Sequence, residues 1–74
     1  MPDKRIVIYH LSRLQDKNPA VRLKAIRELG LLGDPDSLDA LQEIFRTDSD
    51  PEVRKAAQDA GRAIFVKQRE QSGA

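Results

Sequence analysis

A chain of 74 residues with 13 lysines and arginines, 12 aspartates and glutamates, a net charge of +1 and no cysteine makes one small domain that no disulfide or thiolate metal site holds together. Aromatic residues are 4% of the chain and charged ones 34%, a mixture that suits solvated helices better than an aromatic-lined ligand pocket. The charge balance offers no basic excess to nucleic acid, and no apolar run approaches the roughly 20 residues of a membrane span. Ile6-Val7-Ile8-Tyr9 is too short for a signal-peptide core before His10 and Arg13 interrupt it, so the expectation is a soluble cytoplasmic protein.

The first helix opens weakly at Met1-Pro2-Asp3 and is predicted over about Asp3 to Gln15, with Ile8, Leu11 and Leu14 at helical spacing. Three Asx-Pro pairs then mark much firmer starts: Asn18-Pro19, Asp34-Pro35 and Asp50-Pro51. The Asn or Asp side chain can accept a free first-turn N–H. The proline fits the first helical position and pushes its predecessor into the extended region where a cap belongs. The second helix is predicted over Pro19 to about Leu32, with Val21, Ala25, Leu29 and Leu32 on one face and Gly33 in the left-handed position that closes it. The third runs from Pro35 to about Arg46 with the stripe Leu38, Leu41, Ile44 and Phe45. The fourth runs from Pro51 to about Arg69 with Val53, Ala57, Ala60 and Ile64 inward, before a polar tail over 70–74. No segment alternates like a strand, so the fold class is all-α.

The chain repeats itself. Asp16-x-x-Pro19-x-Val21-Arg22-x-x-Ala25 returns 32 residues later as Asp48-x-x-Pro51-x-Val53-Arg54-x-x-Ala57, and Leu32 then matches Ile64. Two helices in a period of that length are the unit of an α-solenoid. On these residues the chain resembles the HEAT-repeat family, and in particular short bacterial repeats related to phycobilin lyase subunits. The resemblance runs once through Ile8, Leu11, Leu14, Asp16, Pro19, Val21, Arg22, Ala25, Leu29 and Leu32, and again through Leu38, Leu41, Ile44, Asp48, Pro51, Val53, Arg54, Ala57 and Ile64. It departs at Gly61, which stands where the first copy has Leu29, and in a one-residue shift before Asp48. The resemblance implies four antiparallel helices as two stacked hairpins, repeat one over about 3–33 and repeat two over about 35–69. It also implies that Asp16, Arg22, Asp48 and Arg54 form a ladder tying neighbouring repeats at their turns.

Arg22 and Arg54 read as parts of that ladder in preference to ligand-binding cations. His10 reads as a surface or partly packed residue, since no second histidine or cysteine exists to share a metal or a reaction. Asp34, Asp36 and Asp39 crowd a helix start, where the dipole favours acids, and nothing apolar surrounds them to raise a pKa for acid/base work. Ser12, Ser37, Ser49 and Ser72 lack a basic partner at a nucleophile's spacing, and Gly30 and Gly33 follow a helix where a phosphate loop would open one. Neither a catalytic residue nor a cofactor is expected.

In HEAT solenoids the second helix of each pair lines the concave side, where partners lie. Projecting the pattern leaves Leu23, Lys24, Arg27, Glu28 and Leu31 outward on the second helix, and Lys55, Asp59, Arg62 and Val66 on the fourth. Arginine anchors and exposed leucines there would make a partner-binding patch; a solvated face of mixed charge is the plainer reading. Ile6, Tyr9 and Phe65, with Val66, are apolar residues left at the two ends, which implies that one end is covered by another copy or by a larger protein. The expected function is non-catalytic protein–protein interaction as adaptor, scaffold or assembly factor. The resemblance also implies an accessory role in phycobilin attachment or light-harvesting assembly. A third reading, nucleic acid held by Lys24, Arg27, Lys55 and Arg62, is interrupted by Glu28, Glu52 and Asp59.

Overall fold

Asp and Asn side chains open four helical turns of the computed structural model, which describes residues 3–71. Asp3 accepts the Arg5 amide at 2.9 Å, Asn18 the Ala20 amide at 2.9 Å, Asp34 the Asp36 amide at 2.8 Å and Asp50 the Glu52 amide at 2.8 Å. Each bond satisfies one of the donors that a helix start leaves free. The elements are α1 (Lys4–Arg13), α2 (Pro19–Leu32), a 3-10 turn (Pro35–Ser37), α3 (Leu38–Thr47) and α4 (Pro51–Gln71). Among the described residues there is no strand. Met1 and Pro2 of the first proposed start, and 72–74 of the expected tail, lie outside the described residues.

Gly33 closes α2 at φ 71°, with its amide on the Leu29 carbonyl, a backbone conformation that side chains resist. The bounds of α2 are the expected ones. The others shift at their ends. α1 stops at Arg13, so Leu14 and Gln15 form the turn. The third helix begins as a 3-10 turn, because the Ser37 and Leu38 amides bond three residues back to Asp34 and Pro35. That tighter turn tucks Ser37 fully inside against α4. Glu70 and Gln71 belong to α4 and not to a tail.

The helices pack as two hairpins, α1 with α2 and α3 with α4, and α2 lies against α4. Three contacts along that second pairing show that α2 and α4 run in the same direction. Arg22 near the start of α2 bonds Asp48 just before α4; a Cβ at Gly30 would lie 3.1 Å from the Ala60 Cβ; one at Gly33 would meet Lys67 near the end of α4. Helices adjacent in the chain are antiparallel, whereas the stacked pair is parallel. Gly30 is what lets the two backbones approach so closely.

The core is Val7, Leu14, Ala25, Ile26, Leu29, Leu41, Ile44, Val53, Ala57, Ala60 and Ile64. All four inward positions expected on α4 are there. Of the other expected inward residues, Leu11, Leu32 and Leu38 are partly buried against that core and Val21 is half-buried, while Ile8 is 57% exposed and Phe45 40%. Val7 takes the place of Ile8, since the face of α1 that meets α2 lies one residue earlier in an apolar run. Phe45 looks out into a groove between α3 and α4, beside Phe65. Ile26, not among the expected positions, is fully buried, because α2 is covered both by α1 and by α4.

Candidate functional site

The joint between the hairpins is built on Arg22. Its Nε donates to Asp48 Oδ2 at 2.9 Å and its Nη2 to Asp48 Oδ1 at 3.1 Å, a two-pronged pair. Its Nη1 donates to the carbonyls of Asp16 at 2.8 Å and Lys17 at 3.2 Å. One side chain therefore closes its own hairpin turn and grips the next. Burial works against a charged Asp48, but the Asp50 amide and then the Arg22 guanidinium outweigh it and hold the carboxyl below its usual pKa. Arg54 repeats part of the pattern, donating from Nη1 to the Asp48 carbonyl at 2.7 Å. Asp16 makes its capping bond to the Asn18 amide at 2.9 Å and a looser contact, 3.7 Å, with Arg13.

A second charged cluster joins the start of α1 to the turn after α2. Lys4 Nζ lies 2.7 Å from Asp34 Oδ2 and 2.5 Å from Asp36 Oδ2. The Lys4 ammonium, then the Asp36 amide, keeps the Asp34 carboxyl below its usual pKa. A general acid needs a shift the other way. His10 stacks edge-on to Tyr9 with ring centroids 5.1 Å apart. Among the described residues, no group of three or more His, Asp or Glu is placed to hold a metal ion, and no helix is long and apolar enough to cross a membrane.

A groove of about 630 Å³ lies along the α2–α4 pair. Gly30, Ala56, Ala60 and Ala63 are its small lining residues, Leu23 and Leu31 its apolar ones, and Arg27, Lys55, Glu52 and Asp59 its charged ones. Leu31 is 75% exposed, the highest of any large apolar residue among the described residues. Of the patch projected from sequence, Leu23, Arg27, Leu31 and Lys55 come together here. Lys24 does not: it lines a groove between α1 and α2 with Tyr9, His10, Arg13 and Val21. Arg62 lines a third groove, between α3 and α4, with Leu38, Phe45, Gly61 and Phe65. Val66 is exposed but borders none of the three. Lys24, Arg27, Lys55 and Arg62 are thus spread over three surfaces and form no single basic stripe. Ile6, Tyr9 and Phe65 are all half exposed, Tyr9 at one end groove and Phe65 at the other. The groove residues absent from the projected patch are Glu52 and the small residues Gly30, Ala56, Ala60 and Ala63. The signal for the alanines was the run Ala56, Ala60, Ala63 at helical spacing, which reads equally well as buried core.

Two parallel second helices, bridged by an arginine of one hairpin on the aspartate of the next, are the geometry of a two-helix repeat. A family model of HEAT repeats matches residues 1–61. The chain belongs to the HEAT-repeat family. The match is to HEAT repeats in general and does not single out those related to phycobilin lyase subunits. No curated protein and no solved structure matches the chain. HEAT repeats as a class are protein-interaction modules and generally not enzymes.

Proposed function

We propose that this HEAT-repeat chain is a non-catalytic adaptor, scaffold or assembly factor that receives a helix of another protein in the α2–α4 groove. The observation that carries the reading is the placement of Leu31, three-quarters exposed, with Leu23 in a groove lined also by glycine and alanine. A lone exposed leucine is ordinary. Two in a groove whose other apolar lining is glycine and alanine leave room for a helix to lie close and bury its own apolar stripe. The two cations and two anions along the groove, Arg27 and Lys55 with Glu52 and Asp59, favour a partner helix flanked by charges of both signs. They set register and orientation more than affinity.

The test is capture from native extract with the wild-type chain, followed by binding measurements on the purified partner. Leu31→Glu should weaken that partner at least tenfold while leaving the helical circular-dichroism signal unchanged, since this side chain contributes little to the fold. Full affinity in both Leu31→Glu and Leu23→Glu would place the binding surface elsewhere.

A further inference from the structure

The joint inside the chain has two unmatched halves at its ends. In the 32-residue repeat, Arg54 stands where Arg22 stands and Asp16 where Asp48 stands. Their local bonds are the same. Arg54 Nη1 reaches the carbonyl six residues back at 2.7 Å, as Arg22 Nη1 does at 2.8 Å. Asp16 Oδ1 accepts the amide two residues on at 2.9 Å, as Asp48 Oδ1 does. The difference lies in what the rest of each group does. Arg22 puts Nε and Nη2 on a carboxylate of the next hairpin. Arg54, held in the same way by Nη1, has no salt-bridge contact with a carboxylate among the described residues, and its charge acts only at longer range on the Asp48 carboxyl that Arg22 already grips. Asp16 Oδ2 has only the long contact with Arg13.

The surfaces around these two groups are complementary in the same sense. The α3–α4 end groove, with Phe45 and Phe65, lies along α4, the helix that carries Arg54; Asp16 itself lines the α1–α2 end groove with Tyr9 and Val21. Where Gly30 meets Ala60 inside the chain, the same register between chains brings Arg62 opposite Glu28. A pair of opposite charges there spaces the helices more widely but keeps the register. We infer that a second copy of this chain stacks head to tail on the first, its α1–α2 end on the α3–α4 end, with Arg54 of one copy gripping Asp16 of the next. Both halves of the contact are present on one chain, and each contact leaves the same two halves free at its ends. The association is therefore open-ended, growing by one copy at a time. It uses surfaces other than the α2–α4 groove, so it stands or falls apart from the partner-binding reading.

Sedimentation velocity over a dilution series tests it. The weight-average mass of the wild type should rise with concentration past that of a dimer. Tyr9→Glu and Phe65→Glu, each at a half-exposed side chain on one end, should both be folded monomers where the wild type associates. Their equimolar mixture should give a dimer and nothing larger, because each supplies the end the other has lost. Arg54→Gln should weaken association about tenfold, the loss of one charged hydrogen-bonded pair. A wild type that stays monomeric into the millimolar range overturns the inference. So does a closed dimer that the mixed variants fail to restore, or association untouched by Arg54→Gln.

Discussion

Arg22 engages a neighbour with every nitrogen of its guanidinium: two on a carboxylate across the joint and one on the turn of its own hairpin. A lysine could make one of these contacts but not the set. The pair is well shielded, with the Asp48 side chain 5% and the Arg22 side chain 14% exposed, so it is not screened as a surface bridge is. Asp48→Asn should lower the free energy of unfolding by about 1.5–3 kcal/mol, measured by urea denaturation at neutral pH. The sign of the pH dependence follows from the lowered pKa of Asp48, reinforced by that of Asp34. Their contributions are present above the ordinary carboxylate value of 3.8 and are lost as pH falls through the lower folded values. The gap between wild type and Asp48→Asn should therefore be constant at neutral pH and close below about pH 4; a gap that widens in acid would contradict the assignment. At this scale the sequence was readable where chemistry is local. The caps at Asn18, Asp34 and Asp50 follow from Asx-Pro alone. The grip of Lys4 on Asp34, thirty residues away, does not, because no local pattern announces a contact between two charges that meet only after folding.

At the scale of elements, the contrast is between α1 and α4. On α4 Val53, Ala57, Ala60 and Ile64 recur at intervals of three and four residues, and each is buried. The apolar run from Ile6 to Tyr9 covers α1 all round, so period alone could not choose between Val7 and Ile8; packing against α2 chose Val7. On α2 a single stripe underestimates what is hidden, since a helix with neighbours on two sides buries a wider arc, Ile26 included. Gly61 is a different case. It costs α4 helix propensity, and a Cβ there would meet nothing within 4 Å. Gly61→Ala should raise stability by about 0.5–1 kcal/mol, seen as a higher midpoint in thermal unfolding. No change, or a lower midpoint, would mean that the opening at this position is smaller than described.

At the largest scale, the described residues are two stacked helical hairpins of the HEAT-repeat family, with one groove along α2–α4 and one on the outer side of each hairpin. The stacked hairpins and their period were legible in the repeated Asp-x-x-Pro-x-Val-Arg, because that motif encodes both a helix start and the joint. The division of the exposed residues was not. Lys24, Arg62 and Leu31 look equivalent along the helical pattern, yet the stacking angle sends Lys24 and Arg62 to opposite ends and keeps Leu31 in the groove. The most direct measurement places a photo-crosslinking side chain at position 31, and in a control at position 8, which is exposed on α1, and illuminates the chain in native extract. Binding through the groove predicts a discrete adduct with one or a few proteins from position 31, suppressed by Leu23→Glu, and none of these from position 8. Adducts from position 8 alone, or the same adducts from both positions, would contradict a partner seated in the α2–α4 groove.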